Sequence, residues 1–406
     1  MAMSASSNSP RLASELAVNR TARCVHFGVC GGCSMQDRPY EEQLKLKTSR
    51  VQACLSNIKE VPEPRPHASP DIWFYRNKME FSFGDVYPPQ AAGPTVKLGL
   101  KPKGRWYEIL DLQECFLMSP ETPGLLAGIR AWAEKEKLAP YNGHKKTGFL
   151  RHLVLREAKS SGERMVVLVT SPGELPEASF LEAVRAAYPA TTVLWGVNEK
   201  AADVAVSDRL RVLAGPGHIT EELRFGGQSL RLRISPHSFF QTNTRAANHL
   251  YSLLRDWVRA EGASTVLDLY CGGGGITLSA AGLCRKPVGV ESNPAAVADA
   301  RANAELNGLD HAEFYSGAVE ILLPALLALG PQVVICDPPR AGMHAAAAAA
   351  LAAGGLRTVI YVSCNPKSLA RDLEVLTACY RVERLEVCDL FPHTEHVETA
   401  VLLRRK

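Results

Sequence analysis

Residues 265–291 read TVLDLYCGGGGITLSAAGLCRKPVGVE. An apolar strand runs into four glycines, a helical stretch follows, and a second apolar strand closes on Glu291. This is the strand–turn–helix–strand unit with which α/β sheets bind nucleotides at their carboxyl edge. Glycine, lacking Cβ, lets backbone approach a ligand closely. Glu291 stands twenty-one residues after Tyr270, where a carboxylate accepts hydrogen bonds from both hydroxyls of an adenosine ribose. The glycines lack the G-x-G-x-x-G spacing that a pyrophosphate needs, which favours phosphate-free S-adenosylmethionine over NAD.

Outward from that unit the pattern repeats. AEFYSGAVEILL, PQVVICDPPRAGMH, LRTVIYVSCNP and a strand pair ending HVETAVLLRRK alternate apolar strands with helical stretches. The run AAAAAALAA after His344 reads as a buried helix, because alanine has the highest helix propensity. A mostly parallel, doubly wound sheet is expected over residues 241–406, led in by the helix TRAANHLYSLLRDWVRA.

Two further groups belong to the same sheet edge. ICDPPR places Asp337 at the end of an apolar strand, and its two prolines stiffen the loop beside the ligand. Methyltransferases acting on amino groups carry an aromatic residue after a similar Asp-Pro-Pro; here Arg340 stands there, which points away from exocyclic amine chemistry. YVSCNPKSLARD places Cys364 just after a strand, as a candidate nucleophile or a buried packing thiol. DLFPHTEHVETAVLL supplies His393, Glu395, His396 and Glu398, and alternation puts His396 and Glu398 on one face, so that either could enter the crevice.

The first half has a different character. Eleven cysteines in a chain without an export signal are expected to be thiols, ligands or catalysts. Three fall together as Cys24, Cys30 and Cys33 in CVHFGVCGGC, and Cys115 in ILDLQECFLMSP is the best fourth. An iron–sulfur cluster, a structural zinc and a set of buried thiols all fit four cysteines, and the spacing leans toward iron–sulfur. RPYEEQLKLKTSRVQACL reads as a helix with Leu44, Val51 and Leu55 inward and Lys45, Lys47 and Arg50 outward; VPEPRPHASP, residues 61–70, reads as a linker. WFYRNKMEFSFGDVY reads as strands, and VKLGLKPKGRWYEILDL as a hairpin turning on Lys-Pro-Lys-Gly. Both mix aromatic and basic residues (Trp73, Tyr75, Arg76 and Lys78, then Lys101, Lys103, Arg105 and Trp106), a composition suited to RNA or to a half-buried sheet.

Composition limits the classes. The chain has 406 residues, 46% hydrophobic and 22% charged, the mix of a soluble globular protein of two or three domains. No apolar run approaches the roughly 18 residues of a membrane span, and the start MAMSASSNSPRLASELAVNR has no apolar core of a secretory signal, so a cytoplasmic protein is expected. Residues 1–250 carry 32 Lys+Arg against 25 Asp+Glu, and residues 251–406 carry 14 against 17. A basic front facing a polyanion is consistent with that split.

Taken in order, CVHFGVCGGC, FYRNKMEFSF, FFQTNTRAA, DLYCGGGG, CDPPRAG, VSCNPKSLARDL and FPHTEHVE resemble the RNA 5-methyluridine (uracil-C5) methyltransferases, from about residue 24 to 406. The resemblance implies a Rossmann-like S-adenosylmethionine-dependent methyltransferase domain over 241–406. Before it would come an α+β iron–sulfur and RNA-binding domain over 24–240 and a disordered 1–23. By motif, Gln241, Tyr270, Glu291 and Asp337 would touch the cofactor beside Gly275 of the glycine loop. Cys364 would be the nucleophile, Glu398 the general base, and Cys24, Cys30, Cys33 and Cys115 the ligands of a [4Fe-4S] cluster of structural role. The implied substrate is ribosomal RNA, 23S foremost, or transfer RNA, with the chain a monomer and no membrane partner. The N-terminal RNA-binding barrel of many relatives is not expected, since 23 residues precede Cys24. Ala318 stands where relatives often contact adenine with a polar side chain, leaving Glu320 as a substitute. Cytosine-C5 methylation, and an iron–sulfur RNA-binding or assembly factor without catalysis, are the competing readings.

Overall fold

The structure, a computed structural model, describes residues 22–85, 95–105 and 107–406. The expected disordered start therefore lies outside the described residues except for residues 22–23, and so does Trp106. Strands in chain order are β1 (Arg65–His67), β2 (Lys78–Asp85), β3 (Val96–Leu100), β4 (Leu110–Asp111), β5 (Leu150–Glu157), β6 (Arg164–Thr170), β7 (Thr192–Val197) and β8 (Arg209–Ala214). There follow β9 (Ile219–Phe225), β10 (Gln228–Ile234), β11 (Thr265–Leu269), β12 (Lys286–Glu291), β13 (Glu313–Ser316), β14 (Val333–Cys336), β15 (Thr358–Ser363), β16 (Tyr380–Cys388) and β17 (Glu398–Arg405).

The second half forms the expected sheet, in the order β1-β16-β17-β15-β14-β11-β12-β13. β11 to β15 pair in parallel, whereas β17 runs antiparallel to both β15 and β16. Helices cover both faces, so the central strands read as continuous apolar runs rather than alternating ones. Thr244–Glu261, Gly275–Ala281 and Pro294–Leu306 pack on one face; Tyr40–Cys54, Val319–Leu327, the polyalanine helix Ala345–Ala353 and Pro366–Leu376 pack on the other.

The first half forms a seven-stranded sheet, β4-β3-β2-β5-β6-β7-β8, antiparallel except between β6 and β7. One face packs on the helices Thr122–Lys135 and Glu177–Ala187. The other, through Val154, Met165, Val167 and Val169, shares a core with the β9–β10 hairpin, the helix Thr244–Glu261 and the first sheet's inner face.

Two expectations need correction. The segment 61–70 is no mere linker, because it contributes β1, paired in parallel with β16 at the sheet's edge. Its prolines hid the strand, and an edge position is where a strand tolerates them. Lys47 is not outside its helix. It is 1% exposed and its Nζ lies 2.7 Å from Asp389 Oδ1. Gln43, Lys47 and Val51 recur at four-residue spacing and form the buried stripe, which a search for apolar periodicity passes over. Although it lies in the first half of the chain, the segment 40–67 packs in the layers of the eight-stranded sheet.

Candidate active site

Strand register assembles the site. In the β11–β12 ladder Leu269 faces Val290, and in β11–β14 it faces Cys336. One residue further, the same rungs bring Glu291 and Asp337 to either side of Tyr270. In the antiparallel β15–β17 ladder Ser363 faces Thr399, so the next rung sets Cys364 against Glu398. All five groups thus stand at one edge of the sheet, at or just past the ends of strands fixed by buried side chains.

The glycine turn is shaped for close approach. Tyr270 has φ +65°, and Gly274, at φ +83°, caps the helix Gly275–Ala281. A Cβ on Gly274 would lie 3.1 Å from Ala300 Cβ, so only glycine fits there. Glu291 is held across the turn, accepting from Gly272 N–H at 3.2 Å and Asn293 N–H at 2.7 Å. Gln241 Nε2 donates to Asp337 Oδ2 at 3.4 Å. A cavity between these elements is lined by Phe239, Tyr270, Gly272, Gly273, Gly275 and Asp337, among others. Glu291 for a ribose, an apolar and glycine-lined floor, and the unpartnered Tyr270 hydroxyl fit an adenosyl ligand.

Electrostatics separates the acids and the thiol from solvent behaviour. Burial pushes Asp337 up to about 7, with the Gln241 hydrogen bond opposing. Glu398 is raised well above the usual carboxylate range by burial and then by Asp337. Its Oε1 has no partner. Burial, with Glu398 and Asp337 adding, pushes the Cys364 thiol up to about 11, while Arg340 opposes. The Cys364 turn is tied to the Arg340 loop, since Asn365 Nδ2 and Ser368 Oγ both donate to Arg340 O, at 3.0 and 3.2 Å. The arrangement offers one soft nucleophile, a strongly basic carboxylate opposite it, and a second acid between them and the glycine turn.

Residues from the first half brace this edge: Asn77 lies within the FYRNKMEFSF motif, whereas no motif marks Arg156. Asn77 Nδ2 donates to Gln241 O at 2.8 Å and to Thr244 Oγ1 at 2.9 Å. Arg156, buried on β5, donates through Nε to Pro236 O at 3.1 Å and through Nη2 to Ser238 O. His393 is structural: it has φ +65° and stacks on Trp73 at 3.7 Å between ring centroids. Its N–H donates to Gln43 Oε1, and its carbonyl accepts from Ser34 and Met35 N–H. Tyr75, fully buried, donates to Pro392 O at 3.0 Å. Tyr75 is thus a buried packing residue, while Trp73, partly buried, has one ring face against His393. His396 is exposed in the loop before β17; alternation with Glu398 does not apply, because β17 begins at Glu398.

Cys24, Cys30, Cys33 and Cys115 line one small apolar cavity with Phe27, Leu100, Leu112 and Phe116. Gly32 N–H donates to Cys30 Sγ at 3.3 Å and Gln36 Nε2 to Cys33 Sγ at 3.1 Å. Burial pushes the thiols of Cys24 and Cys33 up to about 11 and about 12. Four soft donors around one cavity, two already hydrogen-bonded at sulfur, fit a four-thiolate group by donor type. Among the described residues no three His, Cys, Asp or Glu side chains are arranged to hold a metal ion. Glu320, in the first turn after Ala318, is half-buried and interacts with Tyr270. Among the described residues no helix is long and apolar enough to cross a membrane.

Comparison with known proteins bears on this geometry. The family model of the tRNA (uracil-5-)-methyltransferases matches residues 200–406. An uncharacterized RNA methyltransferase of Clostridium tetani is 37% identical over 95% of this chain and 84% of its own length. One from Chlorobaculum tepidum is 37% identical over 94% of this chain and 82% of its own length. The structure of the Pyrococcus abyssi tRNA (uracil-54, C5)-methyltransferase, in complex with S-adenosyl-L-homocysteine, superposes with a TM-score of 0.75 at 31% identity. That match covers 92% of this chain and 86% of the Pyrococcus chain. This chain belongs to the RNA uracil-C5 methyltransferase family and is an enzyme of that class.

Proposed function

We propose that this chain methylates C5 of uridine in ribosomal RNA, 23S foremost, or transfer RNA, with S-adenosylmethionine held by Gln241, Tyr270, Gly275, Glu291 and Asp337. The observation that carries the reading is the β15–β17 ladder, whose next rung opposes Cys364 and Glu398. Uracil C5 is too weak a nucleophile to accept a methyl group unaided. Addition of the Cys364 thiolate to C6 converts C4–C5 into an enolate, whose C5 can attack an electrophilic methyl. S-adenosylmethionine, when bound, supplies that methyl on a sulfonium. Glu398 then removes the C5 proton, the C5–C6 double bond re-forms, and the Cys364–C6 bond breaks to release thiolate. The raised basicity of Glu398 suits removal of a proton from carbon. The elevated Cys364 thiol requires help in ionising, and Arg340 is the cation placed to give it.

The Pyrococcus protein acts, by its name, on uracil-54 of a tRNA, which supports transfer RNA as the second substrate class. Cytosine-C5 chemistry would want an acid for N3, and no observation favours it. Cys24, Cys30, Cys33 and Cys115 would hold a [4Fe-4S] cluster of structural role, anchoring the loop that carries Ser34 and Met35 to His393. Anaerobically purified protein should then carry iron and acid-labile sulfide in equal amounts, and zinc in their place would contradict the cluster.

The mechanism is tested with RNA bearing 5-fluorouridine, since fluorine cannot leave C5 as a proton. A denaturation-stable adduct joined through Cys364, found by peptide mass spectrometry, is expected. No adduct, with cofactor bound and RNA intact, would contradict it.

A further inference from the structure

A cleft of about 810 Å³ opens beside the catalytic edge. It is lined by the loop Thr394–His396, which leads into Glu398, and by the Lys101–Gly104 turn. The lining residue His396 stands two positions before Glu398, and Arg340 acts electrostatically on both His396 and Cys364, which sets this side of the cleft near the reacting groups. Arg76 contributes to the lining, and its buried Nε has no partner.

The turn is built to present cations. Gly31 N–H donates to Lys101 O at 3.1 Å and Lys103 N–H to Val29 O at 2.9 Å, so the cysteine loop fixes the backbone of both lysines. Their side chains stay in solvent, that of Lys101 41% exposed. Asp203, also in the lining, stands 2.9 Å from His152 Nε2 and 3.8 Å from Lys101 Nζ. A carboxylate thus sits where a phosphate would meet Lys101. Beside it Val204 and Val206, 45% and 55% exposed, offer apolar surface of the kind a base face covers.

We infer that this cleft seats the single-stranded RNA next to the target uridine, with backbone phosphates on Lys101 and Lys103, and that Asp203 occupies Lys101 until RNA displaces it. The inference rests on the reading of the chain as an RNA uridine methyltransferase. The volume suits roughly one or two unpaired nucleotides, and unpaired RNA is the form in which bases are accessible. Displacing Asp203 costs affinity, so a segment that cannot also fill the cleft binds poorly, and the carboxylate acts as a filter.

Fluorescence anisotropy with a fluorescein-labelled single-stranded oligouridylate, across a salt series, tests this. Lys101→Ala/Lys103→Ala should weaken binding and lower the salt slope by about 0.7 for each lysine removed, with an unchanged melting temperature. Asp203→Asn should tighten binding several-fold. Wild-type affinity and slope in the double variant would overturn the inference, as would equal, lysine-dependent binding of a polyglutamate peptide. Nucleoside analysis of RNA treated with the wild type keeps the two readings apart. Methylation without any lysine dependence removes the cleft alone. Lysine-dependent binding without methylation of any RNA supports an RNA site here and overturns the enzymatic reading on which its purpose rests.

Discussion

In the eight-stranded sheet the chemistry-bearing residues stand at or one step beyond the ends of buried strands, whereas in the seven-stranded sheet they stand on turns and loops at its rim. Tyr270, Asp337 and Cys364 follow β11, β14 and β15, Glu291 closes β12 and Glu398 opens β17, so register alone brings them together. Lys101, Lys103 and the four cysteines instead owe their places to backbone hydrogen bonds between loops, such as Gly31 to Lys101 and Ser34 to His393. The first arrangement makes a rigid reaction centre. The second makes a support, which reaches that centre through Asn77 and through the cysteine loop's bonds to the loop 389–394, itself held by Lys47.

Breaking the reaction centre should have the largest effect. Cys364→Ala is expected to abolish methylation and any RNA adduct on a denaturing gel. Glu398→Gln should slow turnover by about 10²–10⁴ while the adduct accumulates, because addition precedes proton removal. A Glu398→Gln enzyme that turns over normally would dissolve the distinction between the two regions.

Breaking the support should cost stability before chemistry. Lys47→Met leaves Asp389 buried without its cation, and about 3–5 kcal/mol of unfolding free energy should be lost in denaturant titration. Asn77→Ala removes the donors to Gln241 O and Thr244 Oγ1, worth about 1–3 kcal/mol. Its signature should be a raised KM for S-adenosylmethionine with a smaller change in kcat. Equal losses in both would mean that Asn77 only stabilises the fold.

Two smaller effects sharpen the electrostatics. Asp337 binds its proton more tightly folded than unfolded, since burial raises it from 3.8 to about 7. Stability from that proton is full below the unfolded value and is lost as pH rises through about 7. Asp337→Asn should therefore melt a few degrees higher than the wild type, the gap opening between pH 4 and 7, while losing activity. Alkylation of Cys364, followed on its own peptide, should quicken about tenfold per pH unit from 7 to 9, as for a thiol raised to about 11. A rate flat across that range would show a thiolate already formed.

The catalytic sheet and its edge were legible because the signals are local. A strand that ends in Gly-Gly-Gly-Gly, Asp-Pro-Pro or Ser-Cys-Asn-Pro announces its own reactive end. The support was not legible for the opposite reason. Lys47 is explained only by Asp389, 342 residues away, and His393 only by Gln43, Trp73 and the residues after Cys33. β1 was missed because prolines, which argue against a strand, sit on an edge that tolerates them. Arg156 pairs with carbonyls rather than a carboxylate, a partnership that leaves no mark in composition.

The most direct test of the opposed Cys364–Glu398 pair is nucleoside mass spectrometry. Unmodified ribosomal and transfer RNA transcripts are incubated separately with S-adenosylmethionine and either the wild-type chain or Cys364→Ala. New 5-methyluridine in one pool with the wild type, and none with the variant, is expected. 5-Methyluridine formed equally by both proteins, or 5-methylcytidine as the product, would contradict it.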